Sequence, residues 1–265
     1  MSMSYHRFVS AALLVVLAGC ASTGEQADAQ SRARARAANE ESDARARARI
    51  HTELAANYFE IGNLGIALQE VKEALASDTT YGPAFNVAGL IYAELREDQL
   101  AEQNFDRALK IDPLDSDANN NYGRFLCDRK REQAAIKYFL AALRNPLYQN
   151  PDRSYVNAGL CARRQGDMAG AEDFFQRALK VRSFQPQALY QLADIAFTRG
   201  DFAASKVLIT RIISNVPPTP ELLWLAIRVE RKMGDRNAEA SLGLQLRRSF
   251  PESKETRALQ AGQYD

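Results

Sequence analysis

Histidine is almost missing from this chain, and the lack narrows the possible chemistry more than any residue present. Among 265 residues only His6 and His51 are histidine, so neither a metal centre built on paired imidazoles nor a Ser-His-Asp relay has its raw material. The sequence has no phosphate-binding Walker loop, no G-x-S-x-G elbow and no H-E-x-x-H helix. Cys127 stands in "GRFLCDR" beside Arg124 and Arg129, but a thiol nucleophile also needs a base, and none is close in sequence. No catalytic residue, metal site or cofactor is therefore expected, and the chain should act by binding. Charge of one sign is lacking too. The 34 Lys and Arg against 33 Asp and Glu leave a net charge of +1, without the basic excess that nucleic-acid binders carry. Long apolar runs are absent as well: the segment from Phe8 to Leu17, interrupted by Ser10, is shorter than the roughly 20 residues a membrane span requires.

That short run is informative in another way. Preceded by Arg7, it has the form of a secretory signal, and the Leu17-Ala18-Gly19-Cys20 that ends it resembles the bacterial lipobox. The resemblance implies a signal peptide over 1–19 and acylation of Cys20, including palmitate. Ala21 rather than Asp after the cysteine implies an outer-membrane address facing the periplasm. Each buried methylene adds about 0.8 kcal/mol of membrane affinity, so several acyl chains would hold the domain firmly. A plain secretory signal with an incidental cysteine, or an N-terminal core helix, is the alternative. Beyond it, Ala21 to Arg49 holds no aromatic and no large aliphatic residue, so 20–47 reads as a flexible, solvated linker, with a frayed helical extension over its later part left open. A basic arm is disfavoured because Glu25, Asp28, Glu40, Glu41 and Asp43 interrupt its arginines.

The body repeats itself. At an offset of 34 residues, Gly89 recurs as Gly123, Ala101 as Ala135, Phe105 as Phe139 and Ala108 as Ala142. An offset of 36 then carries Gly123 to Gly159 and Phe139 to Phe175, after which Gly166, Gly200 and Gly234 return to 34. These spacings resemble the tetratricopeptide repeat, with a small residue at position eight, small residues at twenty and twenty-seven and an aromatic at twenty-four. The small residues let two antiparallel helices approach, and the aromatics fill what remains. Six units follow, over 48–81, 82–115, 116–151, 152–185, 186–219 and 220–253, the last two degenerate at Ser205 and Glu239, with a C-terminal tail over 254–265. The expected fold is all-α, a right-handed superhelix of antiparallel helix pairs.

Two site predictions rest on this register. Cys127 and Cys161 fall on the first helices of adjacent units, where axes 8–10 Å apart bring facing Cα atoms within disulfide range in an oxidising compartment. A bridge between them is expected, with two buried free thiols as the alternative. In repeats of this kind the first helices line a concave groove suited to an extended peptide. The register selects Phe59, Glu60, Asn86, Leu90, Glu94, Asn120, Arg124, Asp128, Val156 and Leu160 for it. A clamp for a terminal carboxylate is not supported, because position two reads Arg49, Pro83, Asp117 and Arg153.

The blocks "NNNYGRFLCDRKREQAAIKYFLAALRNPLY" (Asn119 to Tyr148) and "NAGLCARRQGDMAGAEDFFQRAL" (Asn157 to Leu179), together with the lipobox and six units, resemble the PilF/PilW family of type IV pilus biogenesis lipoproteins. The resemblance implies a pilotin: a monomeric scaffold, anchored in the outer membrane by lipid, that takes the secretin subunit there and supports its multimerisation. Nucleic acid is not an expected partner. A lipoprotein adaptor for cell-wall enzymes or β-barrel assembly is the rival. The basic cluster Arg124, Arg129, Lys130 and Arg131 departs from the family pattern and leaves partner recognition open.

Overall fold

The computed structural model describes residues 21–264; the expected signal peptide and Cys20 lie outside the described residues. Every element among the described residues is an α-helix. The chain forms two compact units, one ending at Ala84 and one running from Phe85 to Asp265, taken separately below.

In the first unit α1 (Ala21–Glu60) packs antiparallel to α2 (Leu64–Ser77). Its core is small: Ala48, Ala55, Ala67, Val71 and Ala74 are buried. Here the structure differs from the sequence reading. Residues 21–47, read from the sequence as a flexible linker whose helicity is left open, continue α1 without a break. Ala, Arg, Glu and Gln are strong helix formers, so intrinsic preference carries the helix where no apolar face asks for it. The last turn of this extension is held from outside: Arg45 pairs with Asp78 at 3.3 Å and lies over the Tyr81 ring at 5.3 Å. Packing therefore begins slightly before residue 48. Asp78 also accepts from the Thr80 hydroxyl at 2.6 Å, and this bond first, then Arg45, holds its carboxyl below the usual range.

The second unit continues the pattern through α3 (Gly82–Glu94), whose residues from Phe85 belong to it, and α4 (Asp98–Ile111). The following pairs are α5 (Ser116–Asp128) with α6 (Glu132–Ala142), α7 (Pro151–Arg164) with α8 (Met168–Val181), α9 (Pro186–Thr198) with α10 (Phe202–Ile213), and α11 (Pro220–Met233) with α12 (Arg236–Ser249). One contact closes each hairpin. Gly89, Gly123 and Gly159 lie so near Phe105, Phe139 and Phe175 that a methyl group there would stand 2.7, 2.8 and 2.6 Å from the ring. All three rings are buried and cannot swing away. Elsewhere the same pair of positions is filled by other means, Ala55 with Val71 and Ala193 with Ile209, whereas a methyl at Gly243 would meet Leu259 of the terminal helix at 3.4 Å. The degenerate Ser205 fits because it is buried and donates its hydroxyl to the Ala193 carbonyl at 2.8 Å.

The turns within the hairpins carry a second rule. Gly62, Gly166, Gly200 and Gly234 adopt φ between 77° and 88°, and Asn63, Asp167, Asp201 and Asp235 then cap the second helix. In two hairpins this device is missing. Arg96 and Lys130 occupy the left-handed region at φ 63° and 59°, and the residues after them, Glu97 and Arg131, make no side-chain cap. A side chain in that region costs about 1–2 kcal/mol, and an absent cap about 1 kcal/mol more. Replacing Arg96→Gly together with Glu97→Asp is expected to stabilise the protein by about 1–2 kcal/mol. A urea midpoint unchanged from wild type would contradict this.

The C-terminal residues are not a tail. Residues Lys254–Ala261 form α13, which starts at the Ser253 cap and ends at Gly262 with φ 69°. It packs on α11 and α12, where Leu223, Ile227 and Leu246 would otherwise present the open end of the stack to water. Leu259 and Tyr264 cover them. Thr256, itself buried, donates to the Phe250 carbonyl at 2.7 Å.

Candidate functional site

The expected groove residues divide into two groups. In the first unit Phe59 is half-buried and Glu60 exposed. In the second unit Leu90 and Leu160 are half-buried, and Glu94, Arg124 and Asp128 are exposed. Asn86, Asn120 and Val156 are instead buried and do not belong to a binding surface. Val156 packs in the core around Phe175 and Leu192. The two asparagines hold the repeats together. Asn86 Oδ1 accepts from Asn121 Nδ2 at 3.2 Å, and Asn120 Oδ1 accepts from Ser154 Oγ at 3.0 Å and Asn157 Nδ2 at 2.9 Å. Register on one helix cannot separate a residue that faces a ligand from one that faces the next first helix, and here the neighbour claims position five. The amide ladder continues where Arg163 donates to Gln191 and Asp194. Beside it Cys127 of α5 and Cys161 of α7 are joined by a disulfide, their Cα atoms 5.9 Å apart.

The basic cluster of the third repeat is half structural. Arg129 donates Nε to both Asp98 oxygens at 2.9 and 2.8 Å and Nη2 to the Ala93 carbonyl at 3.0 Å, with its guanidinium 5.0 Å over the Phe125 ring. That bond holds the Asp98 carboxyl below the ordinary carboxylate range. Arg131 pairs with Glu102 at 2.6 Å, across an exposed gap worth about 1 kcal/mol at most. Asp128 accepts from Arg164 at 2.8 Å.

Carried two repeats beyond Leu160, the same register adds Tyr190 and Asp194 on α9 and Glu221, Trp224 and Arg228 on α11. These positions were legible in the sequence, because they stand at two, five and nine of their units. The Tyr264 ring stacks on Trp224 with centroids 5.5 Å apart and planes 19° from parallel. Arg228 donates Nε to the Tyr264 carbonyl at 3.0 Å, and the Arg231 guanidinium lies 3.9 Å from the Tyr264 ring centre. Among the described residues no group of three or more His, Cys, Asp or Glu stands where it could hold a metal ion.

Helical hairpins closed by a small residue against a buried aromatic, stacked one on the next and closed by a terminal helix, define a tetratricopeptide-repeat protein. The tetratricopeptide-repeat family model matches residues 86–152, 133–186 and 162–217. The type IV pilus assembly protein PilF of Pseudomonas aeruginosa is 28% identical over 249 residues, covering 94% of this chain and 95% of PilF. A solved structure of Pseudomonas aeruginosa PilF superposes with a TM-score of 0.74 at 27% identity, covering 84% of this chain and 99% of the other. The crystal structure of PilW, described as a widely conserved type IV pilus biogenesis factor, gives 0.72 at 30% identity, with coverage of 80% and 98%. The chain belongs to the PilF/PilW-type family of tetratricopeptide-repeat proteins.

Proposed function

We propose that this chain is a pilotin of the type IV pilus system: an outer-membrane lipoprotein that brings the secretin subunit to the outer membrane and supports its assembly there. The observation that carries the reading is the likeness to PilF along 94% of the chain, with 95% of PilF covered in return. The Leu17-Ala18-Gly19-Cys20 sequence supports the anchor. Acyl chains on Cys20 would supply the address, and the exposed side chains of the first helices would supply the grip. The work is done by binding, with no bond made or broken.

Replacement of Cys20→Ser separates address from grip. In the cells that make this protein, the variant is expected to remain soluble in the periplasm or at the inner membrane, with secretin multimers in the outer membrane reduced at least tenfold. Fractionation followed by gel analysis of heat-resistant secretin multimers makes the measurement. Wild-type levels of outer-membrane multimer in that strain would overturn the proposal.

A further inference from the structure

The last residues of the chain fold back onto its sixth repeat, and α13 does not need them there. Gly262 turns at φ 69° and the Gln263 N–H donates to the Ala258 carbonyl at 3.0 Å, which satisfies the final turn. Leu259 and Thr256 hold the helix against α11 and α12. Tyr264 then reaches across to α11 and meets Trp224, Arg228 and Arg231, which stand at positions five, nine and twelve of their unit. All three are held by groups other than this tail. Arg231 pairs with Glu239 of α12 at 2.9 Å, the Arg228 guanidinium lies 4.4 Å from the Phe197 ring of α9, and Trp224 packs on the core of Leu223, Ile227 and Leu246. The walls therefore persist when Tyr264 leaves: an indole face, a guanidinium fixed 3.9 Å from the centre of whatever ring takes that place, and an Nε–H that a main-chain carbonyl reaches at 3.0 Å. Beside them a cleft of about 400 Å³ between α9, α11 and α13 shares Trp224 and Arg228, and it gives room for residues that flank such a ring.

We infer that Tyr264 is a latch over a docking site for an extended polypeptide segment of a partner that presents a phenylalanine or tyrosine. The tail shows the chemistry that the site takes. A partner's ring would replace that of Tyr264 against Trp224 and under the Arg231 cation, and its main-chain carbonyl would accept from Arg228. An aliphatic side chain would fill the same space without offering the negative ring face that Arg231 requires. A tail tethered at Gly262 competes at an effective concentration on the order of millimolar, so the latched site excludes weak ligands and opens to a segment that binds more tightly or arrives at high local concentration. The inference is separate from the pilotin reading, since it names a side-chain chemistry and needs neither lipid nor secretin.

Trp224 is the only tryptophan in the sequence, so its emission reports this site alone. Tyr264→Ala opens the latch, and the emission should move to longer wavelength while far-ultraviolet circular dichroism stays at wild type. Both proteins are then titrated with capped alanine pentapeptides whose central residue is phenylalanine or cyclohexylalanine, side chains of similar bulk of which only the first has a π face. The phenylalanine peptide is expected to change the emission saturably, binding Tyr264→Ala at least tenfold more tightly than wild type and at least fivefold more tightly than the cyclohexylalanine peptide does. Adding Arg231→Met to Tyr264→Ala should weaken the phenylalanine peptide at least threefold and leave the other unchanged. No saturable response of Tyr264→Ala at millimolar peptide would overturn the inference and, with a urea midpoint lowered as far as by Leu259→Ala, would make the ring a cap of the stack only. Equal affinity for the two peptides, or equal affinity of the two proteins, would also overturn it. So would an emission of Tyr264→Ala that follows protein concentration in the absence of peptide, which would assign the site to a second copy of the chain.

Discussion

Gly123→Ala is expected to destabilise the protein by about 1–3 kcal/mol, because the added methyl would stand 2.8 Å from the Phe139 ring and 3.1 Å from the Ala135 carbonyl. Phe139→Ile alone should cost a similar amount by leaving a cavity in its place. Combined, the two changes recreate the pairing that the fifth repeat already uses at Ala193 and Ile209, both buried. The double variant should therefore lie well above the sum of the single losses, with a coupling energy of about 1 kcal/mol or more. Urea unfolding followed by circular dichroism gives the cycle. Strict additivity would show that the glycine is required for some reason other than the ring opposite it.

The second large effect concerns the link between the third and fourth repeats. The bridge from Cys127 to Cys161 spans 34 residues. In the chain-entropy account a loop of that size contributes about 4 kcal/mol by restricting the unfolded state. Cys127→Ser with Cys161→Ser is expected to lower the free energy of unfolding by about 2–4 kcal/mol, and reduction of the wild type should reproduce the loss. Repeat stacks unfold by nearest-neighbour coupling, so the denaturation curve should also broaden as the two halves of the second unit lose their tie. A reduced protein with the same midpoint and slope as the oxidised one would remove the bridge from the list of stabilising features.

The parts of this fold that were legible in the sequence are those written in large and small side chains. Gly89, Gly123 and Gly159 with their phenylalanines identify both the helix pairing and the period, because a glycine that leaves room for a large ring recurs with it at a fixed spacing. The polar parts were less legible. Asn86 and Asn120 sit at groove positions, yet their amides bond to the next first helix, which is visible only once two repeats are stacked. Conversely Tyr190, Glu221 and Trp224 stand at the same register positions but lie in the degenerate repeats, where the pattern is faint. Residues 21–47 left the helix undecided because a lack of apolar residues argues against burial, not against helix. Residues 254–261 misled because Leu259 is their single large aliphatic side chain, and its role depends on the uncovered core of Leu223, Ile227 and Leu246.

The lone indole at residue 224 has an experimental corollary. Its fluorescence watches one end of a protein built from modules that need not melt together, and the helices before Phe85 contain no tryptophan at all. A denaturation followed only by that signal would report a clean, single transition even if the amino-terminal hairpin had already come apart. Backbone dichroism recorded beside it should depart from the optical trace, and the gap between the two curves would measure how far cooperativity reaches along the chain.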